Sequence, residues 1–144
     1  MFPNDPLKNG QDIRDRTFRF ACRIVKLCDQ MYQVRGIAWP LAAQLVRCGT
    51  SIAAMLEEAK SAESRRDFIS KCSIGLKEAR ESHVRLRIHV ECGVGPADET
   101  RALMVEANEI VCVLTTIIRN TRQRQALEVV AHATAILLVA WSSF

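Results

Sequence analysis

RCGTSIAAMLEEAKSAESRRDF, Arg47 to Phe68, decides the fold. Its Gly-Thr-Ser step, acidic pair and Ser/Arg/Asp cluster could be pieces of a reaction site. The spacing reads instead as two helices and the bend between them. Leu41, Leu45, Cys48, Ile52 and Met55/Leu56 recur every three or four residues, an apolar stripe along a helix from about Ala38 to Ala59. Ser64-Arg65-Arg66-Asp67 fits the S-x-x-D/E pattern in which a hydroxyl accepts from an N–H three residues on. A new periodic run follows directly: Phe68/Ile69, Cys72, Leu76, Ala79, His83, Leu86 and Val90. Glu57 and Glu58 are adjacent, so on a helix they point about 100° apart and cannot act as a facing acid/base pair. Thr50 and Ser51 fall mid-helix, where hydroxyls bond back to the preceding turn.

The helix over Ala38–Ala59 has no solvated face. Between Ala38 and Leu56 its only charge is Arg47, and opposite the apolar stripe it carries Ala42, Ala43, Gly49, Ser51, Ala53 and Ala54. Either a partner subunit or a central place within one subunit buries the second side; in a domain this small the partner is the expected one, and these six residues are the expected oligomer interface.

Outward from this pair the pattern repeats. Before it, Ile13, Thr17/Phe18, Phe20/Ala21, Ile24/Val25, Leu27/Cys28 and Met31 lie on one side of a helix starting at Asp12, and "QVRGIAWP" turns the chain. After it, "ECGVGPADE" ends one helix and restarts another at Pro96. That last helix shows Leu103/Met104, Ala107, Ile110/Val111, Leu114 and Ile117/Ile118, then loses its stripe in "RNTRQRQ". The expected fold is all-α, an up-down-up-down antiparallel four-helix bundle over residues 12–124. A polar lead-in over residues 1–11 precedes it, and an apolar tail over 125–144 follows. The tail's uninterrupted run, Ala133 to Trp141, is about half the ~20 residues a bilayer span requires. It is expected to pack on a neighbouring subunit first, then to lie on a membrane surface, then to stay unpacked.

Composition excludes several kinds of chemistry. The chain has 144 residues, 49% of them hydrophobic and 25% charged, the balance of one folded domain rather than a disordered chain. Six cysteines stand scattered with no CxxC or CxxH clip, and the N-terminus has no basic, apolar, cleavable leader. Free, buried thiols in a reducing cytoplasm are therefore expected. A di-metal site in a helical bundle uses E-x-x-H pairs. Here Glu81–His83 is one residue too short and Glu128–His132 one too long. Neither a G-x-S-x-G elbow nor a phosphate loop occurs. No catalytic residue, metal, cofactor or small-molecule substrate is expected.

What remains is charge. The formal net charge of +4 permits a polyanionic partner without requiring one. Arg16, Arg19, Arg23 and Lys26 occupy roughly an 80° arc of the first helix, with no acidic residue between Arg16 and Lys26. Arg119, Arg122 and Arg124 form a second cluster, placed where cations also favour a helix C-terminus. These seven are the candidate contacts to a phosphate backbone, salt-sensitive and indifferent to base sequence.

Three stretches carry a resemblance: "DIRDRTFRFACRIVKL", "LVRCGTSIAAMLEEAKSAESRRDFISKCSIGLKEARES" and "ANEIVCVLTTIIR". They resemble the bacterial 23S rRNA-intervening sequence proteins, with accessory variability determinants of diversity-generating retroelements as similar relatives. The resemblance runs from Asp12 to Arg122, and is most specific in R-x-G-T-S-I-x-A (Arg47–Ala54), S-R-x-D-F-I-x-K and L-K-E-A (Ser64–Ala79). It implies a helical bundle without catalytic residues, assembled as a homopentamer. In retroelements it implies a partner reverse transcriptase and nucleic acid bound on basic surface. The chain departs from the family near Met55, where Asn is common, and at Val84-Arg85, where a Tyr-Trp pair is common. Two functional expectations follow: an RNA- or DNA-binding accessory factor to a reverse transcriptase, or a scaffold whose partners are proteins alone.

Overall fold

The computed structural model describes residues 12–34 and 36–142. The lead-in expected over 1–11, and residues 143–144 of the tail, lie outside the described residues. Four helices account for nearly all of the described chain: α1 (Ile13–Tyr32), α2 (Ala38–Lys60), α3 (Arg65–Glu91) and α4 (Ala97–Ser142). Their ends follow from local chemistry. The Asp12 carboxylate accepts from the Arg14 N–H at 3.1 Å, and the Ser64 hydroxyl accepts from the Asp67 N–H at 3.1 Å, the cap expected from sequence. α3 stops in a Schellman turn: the Gly93 N–H bonds to the Val90 carbonyl and the Val94 N–H to the His89 carbonyl. Gly93 sits at φ +66°, where a side chain would be strained.

Each helix packs on two others, α1 on α2 and α4, α3 on α2 and α4, with no diagonal contact among the described residues. The core is a set of apolar side chains at 0–1% exposure. Phe20, Ile24 and Leu27 come from α1, Leu45, Ile52 and Leu56 from α2, Leu86 from α3, and Leu103, Ile110 and Leu114 from α4. Each such side chain contributes about 1.5–3 kcal/mol, so this set outweighs every surface ion pair described below. The cross-helix pairs keep a register. Arg16 meets Glu106 while Arg23 meets Glu99, and Lys71 meets Glu58 while Arg85 meets Gln44. On α1 and α2, Ile24 lies against Gly49 and the Tyr32 ring stands edge-on to Trp39. In all three helix pairs, a step forward along one helix meets a step back along its neighbour.

Two sequence expectations change here. Gly49 and Ala42 do not face outward: both are buried within the subunit, Ala42 at 0% exposure. A Cβ on Gly49 would fall 2.8 Å from Ile24 Cγ2, so the missing side chain is what lets α1 approach α2. The other change is at "RNTRQRQ", where α4 does not end. It continues as one helix of 46 residues, about 69 Å long, against 27 residues for α3. Beyond the buried Thr121, every residue from Arg122 to Ile136 is exposed.

Candidate functional site

In the segment from Arg47 to Phe68 the hydroxyls of the Thr-Ser step and one acid of the Glu57/Glu58 pair are engaged within the bundle. The Thr50 hydroxyl donates to the Val46 carbonyl at 2.7 Å and the Ser51 hydroxyl to the Arg47 carbonyl at 2.7 Å. Glu58 accepts from the Lys71 ammonium at 2.6 Å, and Glu57 lies in solvent. All six cysteines are free of disulfides; Cys28, Cys48 and Cys72 are buried, whereas Cys22, Cys92 and Cys112 are exposed, contrary to the expectation that all six would be interior. Burial, and then the neighbouring Cys48, push the Cys28 thiol up to about 12, far from a thiolate nucleophile. No three His, Cys, Asp or Glu side chains converge on a metal position among the described residues.

The basic arc of α1 is placed as expected, but it is not free. The Arg16 guanidinium bonds to both oxygens of Glu106, at 2.6 and 3.0 Å, and also pairs with Glu109. Arg23 donates to Glu99 at 2.9 Å. These acids come from α4 at i, i+7 and i+10, a ladder that answers the arginines across the groove. The Arg16 guanidinium holds the Glu106 carboxyl below its usual range, against the smaller opposing effect of burial. Only Arg19 and Lys26 of the four have no ion-pair partner among the described residues. Sequence reasoning missed this because it looked for acids within α1. The matching spacing of Glu99, Glu106 and Glu109 was the available signal.

Arg16→Ala leaves a half-buried carboxylate without its partner and should cost on the order of 1 kcal/mol in urea unfolding at pH 7. Because the Glu106 pKa is lowered in the fold, its contribution is present above pH 4.5 and lost as pH falls through the lowered value. The acid-side decline below pH 4.5 should therefore be shallower in Arg16→Ala than in the wild type.

α3 presents the reverse case. Its sequence interleaves cations with Glu78 and Glu81, which suggests a balanced face. In space Glu81 turns toward α2, pairing with Arg47 at 3.1 Å and Arg85 at 2.7 Å. Lys77, Arg80 and Arg87 are left exposed on the outer side with no ion-pair partner among the described residues. They were not among the candidates. Arg119, Arg122 and Arg124 are also exposed and unpaired among the described residues. They lie within α4 rather than at its end, so the helix-terminus explanation for them no longer applies.

The expected small-residue face divides. Ala43 and Ala54 are exposed and Ser51 and Ala53 half-buried, while Ala42 and Gly49 belong to the core. Also exposed on α1 and α2 are apolar residues that sequence reasoning assigns to the interior or passes over: Phe18 at 64% exposure, Val25, Tyr32, and Trp39 at 60%, with the Tyr32 ring edge-on to Trp39. Phe18, Val25 and Tyr32 recur every seven residues. The apolar stripe of α1 is thus wider than the bundle can cover, and its uncovered edge adjoins α2.

The 23S rRNA-intervening sequence protein model matches residues 10–116. The chain belongs to that family. A crystal structure of a protein of unknown function from the S23 ribosomal protein family of Bacteroides thetaiotaomicron VPI-5482 is 33% identical, with a TM-score of 0.67. The similarity covers 74% of this chain and 97% of that one. No curated protein matches the chain. The family region of the 23S rRNA-intervening sequence proteins thus ends inside α4, before Arg119 and before the exposed length of that helix. No helix among the described residues is long and apolar enough to cross a membrane.

Proposed function

We propose that this 23S rRNA-intervening sequence family member is a non-enzymatic, cytoplasmic, antiparallel four-helix bundle that assembles as a cyclic homo-oligomer and binds nucleic acid electrostatically. One observation carries the binding: six cations without ion-pair partners among the described residues lie on the adjacent helices α3 and α4, while on α1 Arg16 and Arg23 are spent within the fold and only Arg19 and Lys26 remain. Lys77, Arg80 and Arg87 on α3, with Arg119, Arg122 and Arg124 on α4, offer six exposed positive charges. A phosphate backbone is the partner such a surface fits. With no aromatic side chain interleaved on either stripe, base stacking contributes nothing and sequence preference is weak.

The antiparallel topology is supported by the opposed register of the cross-helix pairs. The ring is supported by the apolar face of Phe18, Val25, Tyr32, Trp39, Ala43 and Ala54, which one subunit leaves in solvent. A pentamer and a role beside a reverse transcriptase rest on the resemblance of the sequence motifs.

Fluorescent RNA and duplex DNA titrated at two salt concentrations test the binding. Affinity should fall steeply at the higher salt and be nearly independent of base sequence. Changing Arg119, Arg122 and Arg124 to Glu should weaken it at least tenfold. If neither nucleic acid binds at low salt, the second reading, a scaffold with protein partners only, takes its place; the exposed apolar face favours that reading.

A further inference from the structure

The groove between α3 and α4 lies on the opposite side of the bundle from the apolar face of α1 and α2. At 100° per residue, Phe68, Cys72, Ala79 and Leu86 mark the core side of α3, and Lys71 and Arg85 reach for α2 on one flank of it. Arg80 and Arg87 lie on the other flank, toward α4, and Lys77 points straight out. On α4, Glu106 and Glu109 mark the flank toward α1. Arg122 lies on the opposite flank, toward α3, while Arg119 points out and Arg124 leans to the α1 side. Arg80, Arg87 and Arg122 thus converge on the groove, with Lys77 and Arg119 on its rims.

No acid interrupts these charges. Between Ser70 and Val90 the acids of α3 are Glu78 and Glu81, both on the α2 side. Between Met104 and Gln125 those of α4 are Glu106 and Glu109, both taken by Arg16. Arg65, paired with Glu128, sets the register of the two helices, and the loop over residues 92–96 joins them at the far end. Counted from that pair at about 1.5 Å per residue, Arg122 stands about 9 Å along and Arg87 about 33 Å, so these cations line about 24 Å of groove. The helix axes stand about 8–10 Å apart, so the charges form two rows rather than one line.

Two rows of cations fit two lines of phosphates, and a single strand offers one. Stacking separates the two forms further. A protein that holds a single strand draws on aromatic side chains, on which the bases stack. This groove has none to offer: Phe68, the one aromatic of α3, is buried, and α4 carries no Phe, Tyr or Trp from Ala97 to Ala140. Val84 and Val105, exposed beside the cations, are aliphatic. A duplex keeps its bases stacked on one another and needs no such ring. Each cation on duplex DNA also releases about 0.9 counterions, against about 0.7 on a single strand. We infer that the partner of this surface is a double-stranded nucleic acid, held along the α3–α4 groove. Lys77, Arg80 and Arg87 take the phosphates of one strand, and Arg119 and Arg122 those of the other. This rests on the electrostatic-binding reading above and narrows it to the paired form.

Fluorescence anisotropy on the full chain tests it, with a duplex of two helical turns, in DNA and in RNA, set against its own separated strands. In each case the duplex should bind at least tenfold more tightly at low salt. Strands that bind as tightly as their duplex overturn the inference and leave electrostatic binding standing. If nothing binds, that reading falls and this one falls with it. The two rows are tested by Lys77→Ala/Arg80→Ala/Arg87→Ala and by Arg119→Ala/Arg122→Ala, each of which should weaken duplex binding at least tenfold. All five side chains are exposed and Ala is the best helix former, so thermal unfolding should not fall in either variant. Full duplex affinity in either one would leave a single row at work and overturn the two-strand contact.

Discussion

Replacing Gly49 with Ala is expected to destabilise the bundle by about 1–3 kcal/mol. Helix propensity alone predicts the opposite, since Ala is favoured over Gly by about 1 kcal/mol in a helix interior. The decisive quantity is distance. The new methyl would lie 2.8 Å from Ile24 Cγ2, 3.0 Å from Cγ1 and 3.2 Å from Cβ. These atoms sit at the branch point of a stiff side chain, 0% exposed, so they cannot swing away without moving α1. Urea unfolding should show the loss. Ile24→Ala by itself should cost about 2–5 kcal/mol through the cavity it opens. In the double variant Gly49→Ala/Ile24→Ala the added methyl occupies part of that cavity, so the two single losses should sum to more than the measured total. Strict additivity would show that α1 and α2 do not meet at this point. Gly75, whose nearest contact would be Met55 Cβ at 3.5 Å, has room for a methyl and should accept Ala without loss.

His89 should make the protein lose stability between pH 7 and pH 5. Its ring is 1% exposed, and neither nitrogen has a hydrogen-bond partner. Burial holds the imidazole below its ordinary 6.5, with the positive charge of Arg85 adding to the effect. The unfolded chain therefore takes up a proton near pH 6.5 that the folded chain refuses. Stability is complete above 6.5 and declines as pH falls from there toward the lowered folded value. The Glu106 effect begins only below pH 4.5, so the two windows are separate. His89→Leu has similar volume and no polar atom to leave unsatisfied. It should raise stability at neutral pH by about 1–3 kcal/mol and flatten the decline between pH 7 and 5. A wild-type stability that is flat across this range would mean that the ring finds a partner after all.

The fold was legible because periodicity and capping are local. The stripes of Leu45/Cys48/Ile52 and Cys72/Ala79/Leu86, and the Ser64 cap, each depend on residues within a few positions of one another. The charged faces were misread for the complementary reason. Whether Arg16 is neutralised depends on Glu106, 90 positions away, and whether Arg80 is exposed depends on Glu81 turning toward α2. Gly49 illustrates the same limit. A small residue on a helix fits an oligomer contact and a close contact within the subunit equally well, and only the neighbouring helix distinguishes them. The end of α4 was misplaced because loss of an apolar stripe removes the reason for packing, not the reason for helix: Arg, Gln, Ala, Leu and Glu over 122–128 are all strong helix formers.

The salt dependence of nucleic-acid binding, resolved by variant, tests the functional account most directly. On duplex DNA, each cation that contacts a phosphate adds about 0.9 to the slope of log K against log salt. Changing Arg119, Arg122 and Arg124 to Ala should lower that slope by about 2–3, whereas Arg16→Ala/Arg23→Ala, whose guanidiniums belong to Glu106, Glu109 and Glu99, should lower it by less than about 1. The same slope in the wild type and the triple variant, or a larger drop from the α1 pair, would contradict it.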